Sequence, residues 1–105
     1  MPPTPGAIRT RHPAGKQGVR ISRQKYDQMK RFILRTLKAR GAMTYAALNR
    51  LAVRQLTRTF EGSVPWYLVT VKLDLEARKL IRREEGTGSQ TLRLSRKGGS
   101  TGRRK

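Results

Sequence analysis

Phosphate binding is the chemistry this sequence is richest in. Its 105 residues carry 25 lysines and arginines against six acids, a formal charge of +19. A chain this short and this basic seeks a polyanion. Other chemistries are poorly provided for. There is no cysteine, so disulfides, thiolate zinc sites and thiol nucleophiles are out of reach. The one histidine, His12, lies in a Pro/Gly-rich stretch and has no evident role. Glu84 and Glu85 are adjacent, so on a strand they point to opposite faces and do not form a carboxylate pair; they fit better as partners of nearby arginines. Gly86-x-Gly88 is too short and too late in the chain for a nucleotide-binding fingerprint. No nucleophile–base pair, phosphate loop or metal-ligand spacing is found, so neither an enzyme nor a cofactor is expected. No apolar run approaches the roughly 18 residues of a membrane-spanning helix, and no membrane partner is expected. The opening MPPTPGAIRTRHPAG lacks the apolar stretch of a secretory signal, and its prolines disfavour the amphipathic helix of a transit peptide.

The charge is unevenly placed. Residues 1–25 hold six bases and no acid, among them Arg9, Arg11, Lys16 and Arg20. Residues 93–105 hold six more, Arg93, Arg96, Lys97, Arg103, Arg104 and Lys105, again without an acid. Residues 1–20 contain four of the five prolines and only two well-separated aliphatics, Ile8 and Val19. Neither end buries enough apolar surface to offset its chain entropy. The expectation is a disordered basic arm over 1–21, a folded domain over 22–95 and a disordered basic tail over 96–105. About 70 residues then hold one small core, near the lower limit for independent folding.

Within the body, Ser22 is a good N-cap, and Tyr26, Met29, Phe32, Ile33 and Leu37 follow at helical spacing. This predicts an amphipathic helix over 22–40 with Lys30, Arg31, Arg35 and Lys38 largely outward, stopped by Gly41. Ala42-Met43 is a short extended link. Thr44 caps a second helix over about 45–56, built on Leu48, Leu51, Ala52 and Leu56. Residues 57–62 form a turn, and Ser63 caps a third segment with Pro65 in its first turn. That segment, 64–79, alternates like a strand at Val69, Val71, Leu73 and Leu75. Its length and the helix formers of KLDLEARK favour a helix, apolar on more than one side. Two short strands, 80–85 and 90–94, close into a hairpin around Gly86-Thr87-Gly88-Ser89. Phe60, Trp66 and Tyr67 have the ring faces to stack on bases, with a core or rim position as the competing reading. Tyr26 and Tyr45 read as packing residues.

The order helix, short strand, helix, helix, hairpin resembles the winged helix-turn-helix, an α+β, mostly α fold with three helices and a C-terminal hairpin wing. Leu75-Glu76-Ala77-Arg78-Lys79-Leu80-Ile81 resembles that superfamily's Leu-Glu-x-x-Gly-Leu-Ile at the end of the third helix, with Lys79 in place of the glycine and its left-handed cap. Met43-Thr44-Tyr45-Ala46-Ala47-Leu48 is similar to its short strand and capped second helix. Glu85-Gly86-Thr87-Gly88-Ser89 followed by Leu92-Arg93-Leu94 is similar to the wing of linker-histone globular domains. The segment Phe60 to Tyr67 lies outside the generic pattern and is similar to one in an uncharacterised bacterial family of small winged-helix proteins. The resemblance covers about 22–95. It implies that the third helix enters the major groove, with Ser63, Trp66 or Tyr67, Thr70 and Asp74 outward. That face is poor in residues that read base edges, and Asp74 would oppose phosphate, so sequence discrimination is expected to be weak. Lys72, Arg78, Arg82, Arg83 and Arg93 suit backbone contacts better, with Thr87 at the wing tip and the two arms on flanking phosphates.

The expected function is therefore that of a non-catalytic duplex-DNA-binding protein, nucleoid- or chromatin-associated or a transcriptional regulator. Its expected place is the cytoplasm at the nucleoid, or the nucleus in a eukaryote. Two alternatives stay open. One is an RNA- or ribosome-associated protein, since RNA presents the same phosphates. The other is a protein-interaction module, with homodimer formation through the apolar third helix.

Overall fold

Apolar residues three and four apart build the first helix. In the computed structural model, which describes residues 7–84 and 90–95, α1 runs Arg23–Arg40 and buries Tyr26, Met29, Phe32, Ile33, Thr36 and Leu37. Ser22 Oγ accepts from Lys25 N at 3.3 Å, and Gly41 ends the helix at φ 81° with its N–H on Leu37 O. β3, Met43–Thr44, leads into α2, Tyr45–Leu56, whose first turn is capped by Thr44 Oγ1 accepting from Ala47 N. α3, Val64–Ala77, carries Pro65 in its first turn and is capped by Ser63. Its length and helix formers prevail over the strand-like alternation. Leu68, Val71 and Leu75 are wholly buried in the core with Phe32, Ile33 and Leu48. Each such side chain contributes about 1.5–3 kcal/mol on leaving water.

β4, Ile81–Glu84, and β5, Thr91–Leu94, form an antiparallel ladder, and β3 adds to the far side of β5, giving the order β3-β5-β4. Leu92, between Met43 and Arg83, faces the core, while Arg82 and Arg93 face solvent directly opposite each other. The chain is thus a small α+β domain, mostly helical, with small antiparallel sheets. No helix among the described residues is long and apolar enough to cross a membrane.

α3 ends differently from the sequence expectation. Lys79 takes φ 70°, the left-handed conformation that its lack of glycine put in doubt. Leu80 N donates to Leu75 O at 2.9 Å and Lys79 N to Glu76 O at 3.1 Å, the paired bonds of a Schellman motif. Burial of Leu75 and Ile81 on either side of the turn fixes the path, and the lysine accepts the strain.

The larger correction concerns the N-terminus. In place of a disordered arm over 1–21, residues 7–22 fold as a hairpin of β1, Ala7–Arg11, and β2, Gln17–Ser22. The register pairs Ile8 with Ile21 and Arg9 with Arg20. Ile21 is buried in the core, and Ile8 packs against it. Thr10 is also buried, and its Oγ1 accepts from Val19 N and donates to Val19 O across the ladder. A domain boundary at 22 cuts Ile8 and Ile21 off from the body they pack on and so hides the reason the pair is ordered. The hairpin packs on α3 and α1, so its apolar surface is shared with the body. The wing tip at 85–89 and the basic tail from Arg96 onward lie outside the described residues.

Candidate functional site

The acids decide which cations are available. Asp74, fully buried on α3, accepts from Arg78 Nε at 2.8 Å, from the Arg11 backbone N–H at 2.8 Å and from the Tyr26 hydroxyl. A buried carboxylate is tolerable only when so satisfied. The same arrangement pushes the Tyr26 phenol well above the usual tyrosine value, through burial first and then its bond to Asp74. Arg78 is held charged even more firmly than usual by its hydrogen bond to Asp74. Asp74 therefore joins α1, α3 and β1 and presents no charge to phosphate, contrary to the outward position expected of it. Burial also pushes the Tyr45 phenol up.

Lys72 requires a second correction. It is buried, with Nζ 2.6 Å from Glu76 Oε2, 3.1 Å from Gln90 Oε1 and 5.5 Å from the centre of the Tyr45 ring. Its ammonium is thus turned inward and paired, where a surface position was expected. Arg78 is likewise committed to Asp74. Arg93 lies 3.2 Å from Glu84 with both side chains exposed, where an ion pair exchanges readily with other anions, whereas exposed Arg83 lies 3.7 Å from the buried Glu76 carboxylate.

Over the expected reading face of α3, Ser63 Oγ is spent on the helix cap, accepting from Trp66 N. Trp66 is 45% exposed and stands edge-on to Tyr67, which is wedged between it and buried Phe60. Lys25 Nζ lies over the Tyr67 ring. Phe60 therefore belongs to the core and offers no face to a base. Thr70 shares a small pocket with Leu73 and with Thr10, Arg11, His12, Gly18 and Val19 of the hairpin. The N-terminal hairpin thus covers part of the face of α3 that was expected to enter a groove. His12 Nδ1 accepts from Ala14 N within the hairpin turn.

Exposed cations sit instead on the β1–β2 and β4–β5 ribbons, on α1, and on α2 at Arg50 and Arg54. Arg9 and Arg20 are exposed and directly opposite across β1–β2, as Arg82 and Arg93 are across β4–β5. Arg11 and Lys16 are exposed at the far end of the first hairpin. Thr87, Arg96, Lys97, Arg103, Arg104 and Lys105 lie outside the described residues. Sequence reasoning missed the Tyr26–Asp74–Arg78 cluster. Its only local signal was an acid in an apolar run with an arginine four residues on, a spacing shared by Lys72 and Glu76.

Residues 7–92 match a family described as a family of unknown function (DUF6958). The chain belongs to that family. The match begins where β1 begins and runs into β5, so the N-terminal hairpin is part of the family's unit rather than an appendage. No curated protein and no solved structure matches the chain. Among the described residues, no group of three or more His, Asp or Glu is placed to hold a metal ion.

Proposed function

We propose that this family member is a non-catalytic nucleic-acid-binding protein that grips duplex DNA by its phosphates, with little sequence discrimination. The observation that carries the reading is the facing arginine pairs, Arg9 with Arg20 and Arg82 with Arg93. Like charges directly opposite on a ladder destabilise it. A phosphate backbone laid along the ribbon turns that repulsion into attraction. The order of elements supports the same reading. A helix, a short strand adjoining the last strand, two helices and a terminal hairpin are the plan of a winged helix-turn-helix. The contact surface differs from the usual one: the ribbons replace α3, whose cations are paired inside and whose face is partly covered.

A salt titration of the full chain on duplex DNA tests this. With about eight phosphates engaged, log K falls with a slope near −7 against log[salt]. Replacing Arg9 and Arg20 together by Ala removes about two contacts and reduces that slope by about 2. The same double variant melts no lower than the parent, because it relieves a repulsion. A slope near zero, or one unchanged by the double substitution, rejects the proposal. Competition between duplex DNA and structured RNA at fixed salt decides which polyanion is preferred.

A further inference from the structure

One groove is not explained by phosphate binding. It runs along α1 between that helix and the β4–β5 ribbon, with a volume of about 550 Å³. Leu34, Leu80 and Leu94 form its apolar floor. Lys30, Arg31, Arg35 and Lys38 rim it, with Asp27 at one end. From Asp27 to Lys38 the groove spans three turns of α1, about 16 Å at 1.5 Å per residue. No carboxylate among the described residues lies within ion-pair distance of Arg31, Arg35 or Lys38. Lys30 leans toward the Tyr26 ring, 5.9 Å from its centre.

We propose that this groove docks an acidic amphipathic helix of a partner protein. Charge complementarity and shape together select that occupant. A leucine floor attracts an apolar stripe and has nothing to offer a phosphate chain. The cations recur on successive turns of α1, so the occupant must present anions at the same interval, as a helix with acidic residues beside its apolar stripe does. A single-headed amphiphile brings one charge to one end and leaves the remaining cations unmatched. A second copy of this chain brings another set of cations against the first, which repels. The groove is also separate from the arginine pair of the wing. Leu94 and Arg93 are neighbours on β5, so their side chains leave opposite faces of the ribbon. Duplex DNA and an acidic helix can then be held at once, and the inference stands whether or not the chain binds DNA.

The probe is a synthetic helical peptide with Leu at i, i+3, i+4 and i+7 and Glu beside them. The full chain is titrated with it while backbone amide shifts are followed by NMR. Shifts are expected at 27–38, Leu80 and Leu94. Leu34→Gln and the charge reversal Arg31→Glu/Arg35→Glu should each raise Kd by about tenfold or more. Both change partly or fully exposed positions, and melting curves verify that each variant is folded. Three results overturn the proposal: a scrambled peptide of the same composition binds as tightly, Leu34→Gln leaves the folded protein's affinity unchanged, or duplex DNA shifts the same residues and displaces the peptide.

Discussion

At the scale of single residues, two side chains hold positions that cost the protein something. Lys79 sits in the left-handed region, which burdens a residue with a Cβ by about 1–2 kcal/mol. Lys79→Gly should therefore stabilise the domain by about 1 kcal/mol, raising Tm by roughly 4–8 °C in a domain of this size. A calorimetric melt that does not move shows that another contact of the lysine offsets the strain. Tyr26 is held protonated by burial and by Asp74 beyond the usual range. An unfolded tyrosine ionises near about pH 10. Above that pH the unfolded chain binds fewer protons than the folded one, so stability falls as pH rises; below it this group contributes no slope. Tyr26→Phe should flatten the alkaline loss and lower stability at neutral pH by about 1–3 kcal/mol, because an Asp74 oxygen loses a donor. Urea midpoints measured from pH 8 to 11 check both effects, and parallel alkaline slopes for parent and variant refute the coupling.

At the scale of elements, the helices were legible and the first hairpin was not. Ser22, Gly41, Thr44, Ser63 and Pro65 mark helix ends by local chemistry, and the structure places them there. Leu92 and Leu94 set the register of the wing by simple alternation. The hairpin's signal, Ile8-x-Thr10 facing Val19-x-Ile21, was short and lay among prolines and arginines. Composition argued for disorder because the apolar surface that stabilises the hairpin belongs to α3 and α1, far along the chain. The same non-locality put Asp74 on an outward face and Lys72 among the phosphate contacts: their partners Tyr26, Arg11 and Gln90 lie far along the chain. Gly18 makes the hairpin's dependence on close packing testable. A Cβ there would lie 1.9 Å from Thr10 O. Gly18→Ala should unpair β1 from β2 at a cost of about 1–3 kcal/mol. Hydrogen exchange should speed up at Val19 and Ile21 while α2 keeps its protection. Unchanged exchange at Val19 means the pairing survives the methyl group and rejects the prediction.

At the scale of the whole molecule, a charge of +19 on 105 residues sets the background for every local contact. Self-repulsion favours the expanded chain, and the few acids offset it at only a handful of places. Screening should therefore stabilise the free protein. Raising salt from about 0.02 to 0.3 M shortens the Debye length from about 20 Å to below 6 Å and should raise Tm by several degrees. The same change should weaken the proposed binding to DNA. Opposite signs for the two measurements separate self-repulsion from partner attraction; a Tm that falls with salt means that internal ion pairs outweigh the repulsion.

The bond from Arg11 to Asp74 is made by the main chain. Its identity as an arginine is thus irrelevant to that anchor, and nineteen of the twenty amino acids supply the same N–H. Proline alone removes it. The protein can vary what it displays at the tip of its first ribbon without redrawing the path that brings the ribbon home, while position 74 has no such liberty.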